Sequence, residues 1–307
     1  MNTKKVVVAG ATGALGSKIV KELLALGAEV TAMVRATSNR SKLEKLGVKQ
    51  FIVGDMMDPA SLKRALLPTQ GFDALVASAA GYTKHTKQDS PDTDTIGYKN
   101  LVDAAKEAGS PRFVVISILE SDKATTVSHF YNKYLIEEYL KEKGQPFIAL
   151  RAGAFLDQSP DFILPKLPKG ILPVFFDNVN YGLIYTADLA RYAAQAAASL
   201  PDSELNSIID VGLSTPVTNT RLAAAFSNVL GRPIQPKPLA PPFITKLIMS
   251  VGALFSPNMK DMYEMIKWVN TGVYVSKNTQ RQKQLFGDLP TIEEAVSRYA
   301  KDNKLLA

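Results

Sequence analysis

The sequence predicts an α/β protein: a doubly wound parallel sheet followed by a smaller C-terminal α/β lobe. Three observations carry that prediction. Short apolar runs alternate with helical stretches from the start to about residue 155, which is the pattern of strands joined by crossover helices. The first run, KVVVA at 5–9, passes through glycines at 10, 13 and 16 into a helical stretch. Such a turn lets backbone approach a phosphate at the positive end of a helix, although the same turn also occurs with no ligand. Beyond residue 155 the alternation loosens while helices persist. The expected division is 1–155 and 156–307, with the second part interleaved with the first and not folding alone.

In chain order, strands are expected at Lys5–Ala9, Glu29–Val34, Gln50–Val53, Ala74–Ser78, Phe113–Ser117 and Phe147–Leu150. The run Val6–Val8 reads as a buried parallel strand, because its apolar residues run on without alternation. Between the strands, Leu15–Leu26, Pro59–Leu67, Tyr98–Glu107 and Phe130–Lys143 carry a helical pattern. Asp58 before Pro59 supplies an N-cap acceptor and then a proline at the first helical position. The proline-rich stretch Asp157–Leu172 reads as loop. Thr186–Leu200 reads as helix, Ser207–Val211 as a strand and Leu222–Leu230 as helix, and Thr291 with Glu294 forms a capping box. Phe243–Phe255 and Met259–Val269 are helical stretches rich in methionine and aromatics. Stripes of this kind face a core or wall a substrate pocket.

Composition excludes several classes of function. The chain has 307 residues, 46% hydrophobic, enough for a full core, and it has no cysteine. Disulfides, thiolate metal sites and cysteine nucleophiles are therefore out. Its two histidines are His85 and His129, too few for a histidine-rich site, and no metal is expected. With 36 basic against 29 acidic residues the net charge is +7. Arg35, Arg40, Lys42 and Lys45 cluster after the second strand, but no nucleic-acid-binding signature accompanies them. Phe243–Phe255 is too short for a membrane span and contains Lys246. MNTKK leads straight into the first strand, leaving no room for a signal peptide. A soluble cytoplasmic chain is expected, a monomer or homodimer, with no nucleic-acid or membrane partner.

The glycine spacing is Gly-x-x-Gly-x-x-Gly. Further along stand VGDMMDP at 53–59, NLVDAAKEAG at 100–109, FVVIS at 113–117, HFYNKYLIEEYL at 129–140 and IALRAGAF at 148–155, with YTADLARYAA at 185–194 matching more loosely. In these stretches the chain resembles the atypical short-chain dehydrogenase/reductases, within them the NmrA-like and isoflavone-reductase-like branch. The resemblance implies a Rossmann-type dinucleotide-binding domain with a small lobe closing over NADP(H).

Gly10, Thr12, Gly13, Ala14, Leu15 and Gly16 are the expected pyrophosphate contacts. The second strand ends in Arg35, with no acid before Glu44. An acid there would select NAD, whereas Arg35, Ser38 and Arg40 suit a 2′-phosphate through charged hydrogen bonds, or else form a solvated basic loop. Asp55 and Met56 occupy the family's adenine side, Asp55 serving equally well as a turn residue. Ser78, Ala79 and Ala80 lie at the sheet's carboxyl edge, where small residues allow a ribose to approach or a turn to pack.

Related reductases place a serine after the fifth strand and a Tyr-x-x-x-Lys pair on the next helix. Here Ser117 and Lys133 match, but His129 stands four residues before the lysine in place of tyrosine. Three readings follow. His129 is the proton donor, since an imidazole titrates near neutrality. Or Lys133, or a tyrosine such as Tyr82 or Tyr131, takes that role. Or the site binds NADP(H) silently, as redox sensors of the family do. His129 can also be a helix-start cap, and Lys133 can pair with Glu137 one turn on. Glu137–Glu138 and Glu293–Glu294 read as solvated pairs. No nucleophile elbow or Walker motif occurs.

The expected function is hydride transfer from NADPH to a small apolar carbonyl, enone or quinone, with Phe155 and the 243–269 helices as the substrate wall and Phe155 also against the cofactor. The alternative is a non-catalytic NADP(H)-binding regulator. Recycled-cofactor isomerisation ranks last, for want of any nucleotide-sugar cue.

Overall fold

The computed structural model of the chain describes residues 3–69, 71–81, 91–158, 160–238 and 242–306. Along the chain run β1 (Lys5–Ala9), α1 (Ala14–Ala25), β2 (Glu29–Val34), α2 (Ser41–Lys45), β3 (Gln50–Val53), α3 (Pro59–Leu66), β4 (Ala74–Ala77), α4 (Ile96–Glu107) and β5 (Phe113–Ile118). Then come α5 (Ser128–Glu142), β6 (Phe147–Ala152), β7 (Ala154–Phe155), α6 (Pro160–Ile163), β8 (Ile171–Val174), β9 (Leu183–Ile184) and α7 (Thr186–Ala198). The last elements are β10 (Ser207–Val211), α8 (Asn219–Leu230), β11 (Gln235–Pro238), α9 (Pro242–Phe255), α10 (Pro257–Val269), α11 (Thr279–Phe286) and α12 (Ile292–Asp302). The fold class is the expected α/β, and the first six strands lie where the sequence placed them, to within two residues at any end.

A seven-stranded sheet has the order β10-β6-β5-β4-β1-β2-β3. β1 pairs in parallel with β2 on one side and β4 on the other, with Ala9 opposite Met33 and Ala77. Strand order reverses between β1 and β4, so the crevice beyond their carboxyl ends is where a doubly wound sheet takes its ligand.

Two compact units divide the chain. The first comprises Met1–Ile118, Asn132–Arg151 and Thr186–Ile209, and the second comprises Leu119–Tyr131, Ala152–Tyr185 and Asp210–Ala307. In the first unit Val7, Ala9, Leu75, Ala77, Phe113 and Val115 fill the sheet interior. On α4, Tyr98, Leu101, Val102 and Ala105 are fully buried at the i, i+3, i+4, i+7 spacing of one helical face. Helix α7 repeats that spacing with Leu189, Tyr192, Ala193 and Ala196, and it packs on α1. The Asp58 carboxylate accepts from the Ser61 amide at the start of α3, with Pro59 at the first position.

In the second unit β8 pairs with β11 and β7 with β9. The capping box at Thr291 and Glu294 is formed. Buried Gln282 of α11 bonds both the amide and the carbonyl of Gly212.

Two expectations are corrected here. The stretch Asp157–Leu172 is not all loop, since it holds the one-turn helix α6 and the start of β8. Pro160 opens α6 and Pro168 lies in the first turn of a short 3-10 helix at Leu167–Lys169, places that tolerate a missing N–H. Among the described side chains of α9, Ile248, Val251, Leu254 and Phe255 are exposed and not core, although the helix packs on α10.

Candidate functional site

The turn after β1 is built by contact. Gly10 has φ +78°, and a Cβ there would stand 2.6 Å from the Ala79 amide nitrogen. At Gly16 a Cβ would stand 2.0 Å from the Gly10 carbonyl oxygen and 2.9 Å from the Ser78 hydroxyl. Side chains are therefore excluded at both ends of the turn. Gly13 caps α1 with its backbone, its own amide donating to the Gly10 carbonyl at 3.0 Å. It offers no side-chain acceptor, and the first turn of α1 carries no acid. Thr12, Gly13 and Ala14 are exposed around this helix start, while Leu15 is half-buried. An N-terminus with its positive end left open at a sheet's switch point can hold an anion.

Basic side chains surround the same end of the sheet. The Lys42 ammonium donates to the Ser17 hydroxyl of α1 at 2.8 Å, and Lys18 donates to the Thr186 hydroxyl at 2.5 Å. Arg35 follows β2 and is half-buried, and the Ser38 amide donates to its carbonyl. The Arg40 guanidinium stacks over the Phe51 ring at 5.3 Å, which holds it in place. The Asp55 carboxylate accepts from the Met57 amide at 2.9 Å, so it serves its turn, and the Met56 carbonyl accepts from Asn100. The Ser78 hydroxyl donates to the Ala9 carbonyl at 3.0 Å and ties β4 to β1. Ala79 is half-buried and Ala80 exposed.

Lys133 is buried, and its ammonium donates to Asp94 at 2.7 Å while lying 4.2 Å from the centre of the Tyr98 ring. The second Asp94 oxygen accepts from the Gly81 amide, and the Tyr98 hydroxyl donates to the Ala79 carbonyl. Burial opposes charge on Lys133, but Asp94 and Tyr98 outweigh it and hold its pKa above that of an ordinary lysine. Burial pushes the Tyr98 phenol up, with Lys133 pulling against it. This arrangement overturns the exposed Lys133–Glu137 pair. Glu137 is itself fully buried, not solvated, accepting from the Ser117 hydroxyl at 2.5 Å and from Arg151 through both oxygens. Two charged hydrogen bonds from Arg151 make that burial tolerable.

In the second unit His129 binds the Asp261 carboxylate through Nδ1, and Asp261 also accepts from the Ser128 amide at the start of α5. The Phe130, Trp268 and Tyr274 rings pack beside them with centroids 5.4 to 5.6 Å apart. Tyr131 is half-buried on α5, and Phe155 is half-buried on β7 opposite Ile184. Tyr82 and His85 lie outside the described residues.

The structure thus gathers the glycine turn, Ser78, Lys133 and Tyr98 into one unit, and it ties Ser117 to Glu137. Sequence reasoning missed Asp94, Asp261 and Arg151, whose partners stand 39, 132 and 14 residues away. A further omission is Glu120, a non-glycine residue at φ +54° held by Lys123 and Lys277. Its left-handed backbone gives no signal in sequence.

A glycine turn between β1 and α1 at the switch point of a parallel sheet defines the class of Rossmann-type α/β proteins. The chain belongs to the NmrA-like family, whose model matches residues 2–301. Among curated relatives, the photosystem II assembly factor Ycf39 of Cyanophora paradoxa is 30% identical over 62% of this chain and 58% of its own length. The match thus covers less than two thirds of that relative. Sanguinarine reductase of Eschscholzia californica is 25% identical over 62% of this chain and 83% of that protein. Among solved structures, the Escherichia coli NADPH-dependent quinone oxidoreductase QOR2, complexed with NADPH, aligns with a TM-score of 0.74 at 22% identity. It covers 96% of this chain and 99% of that one. An isoflavone reductase aligns at 0.69 and 19% identity, covering 97% and 100%. At these identities the likeness to solved structures is one of fold.

Proposed function

We propose that this chain is an NADPH-dependent reductase acting on a small, largely apolar carbonyl, enone or quinone. The observation that carries the reading is the open N-terminus of α1 at the sheet's switch point, beside a β2 that ends in Arg35 where an NAD-selecting acid would stand. When bound, NADPH supplies a hydride from its nicotinamide ring. The residues present fit it. Glycines 10, 13 and 16 with α1 take the pyrophosphate, and Arg35, Ser38 and Arg40 take the 2′-phosphate. Lys133, its charge secured by Asp94, holds the nicotinamide ribose as the family resemblance implies. His129 delivers the proton to the substrate, and Asp261 fixes the orientation of its ring. Ser117, whose hydroxyl is given to Glu137, braces β5 against α5. The relatives named as a quinone oxidoreductase and a sanguinarine reductase support the same chemistry.

The relatives named as photosystem II assembly factors favour a second reading, an NADP(H)-binding regulator without turnover. One experiment separates the two. NADPH affinity is measured by nucleotide fluorescence, and NADPH oxidation is followed with a panel of quinones, enones and ketones. A reductase consumes NADPH with some member of the panel, and His129→Phe lowers kcat by about 10²-fold or more with affinity unchanged. Binding without turnover across the panel selects the regulator, and a His129→Phe variant as fast as wild type removes His129 as donor.

A further inference from the structure

Tyr98, the aromatic residue of α4, is fully buried in the first unit and makes two polar contacts that packing alone does not require. Its hydroxyl donates to the Ala79 carbonyl at 2.7 Å, just beyond β4. The same Ala79 backbone closes the space beside Gly10, its amide nitrogen standing 2.6 Å from where a Cβ would sit. The face of the Tyr98 ring carries the Lys133 ammonium, 4.2 Å from the ring centre. A single side chain of α4 therefore touches both the strand end behind the glycine turn and the lysine of α5. A phenylalanine would fill nearly the same space with no hydroxyl to satisfy, so the core does not explain the tyrosine.

A lysine ammonium has three donors on a flexible four-carbon stem, and its direction has to be imposed from outside. The Asp94 carboxylate accepts from it at 2.7 Å. The negative face of the Tyr98 ring attracts it from a second side, and more strongly than at a surface because both groups are buried. Each restraint is itself held. The second Asp94 oxygen accepts from the Gly81 amide at 2.7 Å, and Tyr98 is pinned through Ala79. Carboxylate and ring thus fix the ammonium from two directions and leave it a donor for a further oxygen. We propose that Tyr98 is a positioning residue of the cofactor site, its ring face aiming the Lys133 ammonium at the nicotinamide ribose. This role rests on the proposed contact between Lys133 and that ribose. Tyr98 acts through the lysine, since its own burial keeps it from the ligand.

Calorimetric titration with two nucleotides tests the role: NADPH, which carries the nicotinamide ribose, and adenosine 2′,5′-bisphosphate, which lacks it. Tyr98→Leu removes the ring and should weaken NADPH by about tenfold while the bisphosphate stays within about twofold of wild type. Tyr98→Phe keeps the ring and should restore the wild-type ratio of the two affinities, although loss of the bond to Ala79 lowers Tm. Should Tyr98→Leu not fold, fluorinated phenylalanines at position 98 keep the shape and drain the ring face of its negative potential. NADPH affinity should then fall stepwise with fluorine number against a constant bisphosphate affinity. Equal loss of both nucleotides, or a ratio unmoved by Tyr98→Leu or by fluorination, reduces Tyr98 to packing and overturns the proposal. The double variant Asp94→Asn, Lys133→Met removes both buried charges together and tests the ribose contact separately. A ratio shifted by the double variant and not by Tyr98→Leu overturns the role of Tyr98 alone. A ratio that the double variant leaves unchanged, or a wild-type chain that binds neither nucleotide, overturns the ribose contact and the role of Tyr98 with it.

Discussion

Lys133 and Asp94 form a buried pair through which the proposed cofactor contact is tied to the stability of the fold. Both side chains are at least nine-tenths buried, and a buried pair broken on one side leaves an uncompensated charge. Asp94→Asn should therefore destabilise the chain by about 3–5 kcal/mol at neutral pH. The sign of the pH dependence follows from Lys133, whose pKa is raised on folding. Stabilisation by a raised base is complete below the lysine's unfolded pKa of about 10.4 and disappears as pH climbs through the folded value. Urea unfolding at a series of pH values should show a gap between wild type and variant that is constant through neutrality and narrows only in strong alkali. A variant as stable as wild type at pH 7 would mean that the pair offsets no more than its own desolvation.

What the sequence disclosed about each element depended on whether its stabilising contacts were local. β1, β2 and β4 read clearly because parallel strands buried on both faces are continuous apolar runs. The starts of α3 and α12 were equally plain, since their caps lie within three residues of the groups they satisfy. β11, which reads QPKP, was illegible, as two prolines argue against a strand until its place in a two-stranded ladder is known. α11 was missed because its sequence, TQRQKQLF, carries almost no apolar stripe. Glu137 looked solvated because Ser117 and Arg151, which bury it, lie 20 and 14 residues away. The β1–turn–α1 unit is the opposite case, legible in sequence and exacting in structure. In Gly16→Ala the new methyl would meet the Gly10 carbonyl at 2.0 Å, and that obstacle is backbone. Overpacking of this kind costs about 1–3 kcal/mol and displaces the turn. Nucleotide titration should show NADPH affinity reduced by about tenfold or more while far-ultraviolet circular dichroism stays native. Undiminished affinity would remove the turn from the cofactor site.

For the molecule as a whole, cofactor choice should be readable as stability. A ligand that binds only the folded chain stabilises it by about 2.7 kcal/mol at a hundredfold excess over Kd. For a chain of this size that corresponds to a rise of roughly 5 °C in Tm. In the proposed binding mode, Arg40, held on the Phe51 ring, and Arg35, following β2, would face the 2′-phosphate that NADH lacks. NADPH should therefore raise Tm more than NADH at equal concentration. Because that preference is electrostatic and its groups are partly exposed, added salt should erode it within the range where the Debye length falls below about 8 Å. The double variant Arg35→Ala, Arg40→Ala should bring the two nucleotides to the same shift while leaving the Tm of the free protein within about 2 °C of wild type, since neither substitution opens the core. Equal shifts from NADH and NADPH in the wild-type chain would show that the basic run after β2 is merely solvated, and that coenzyme choice is made elsewhere along the cradle.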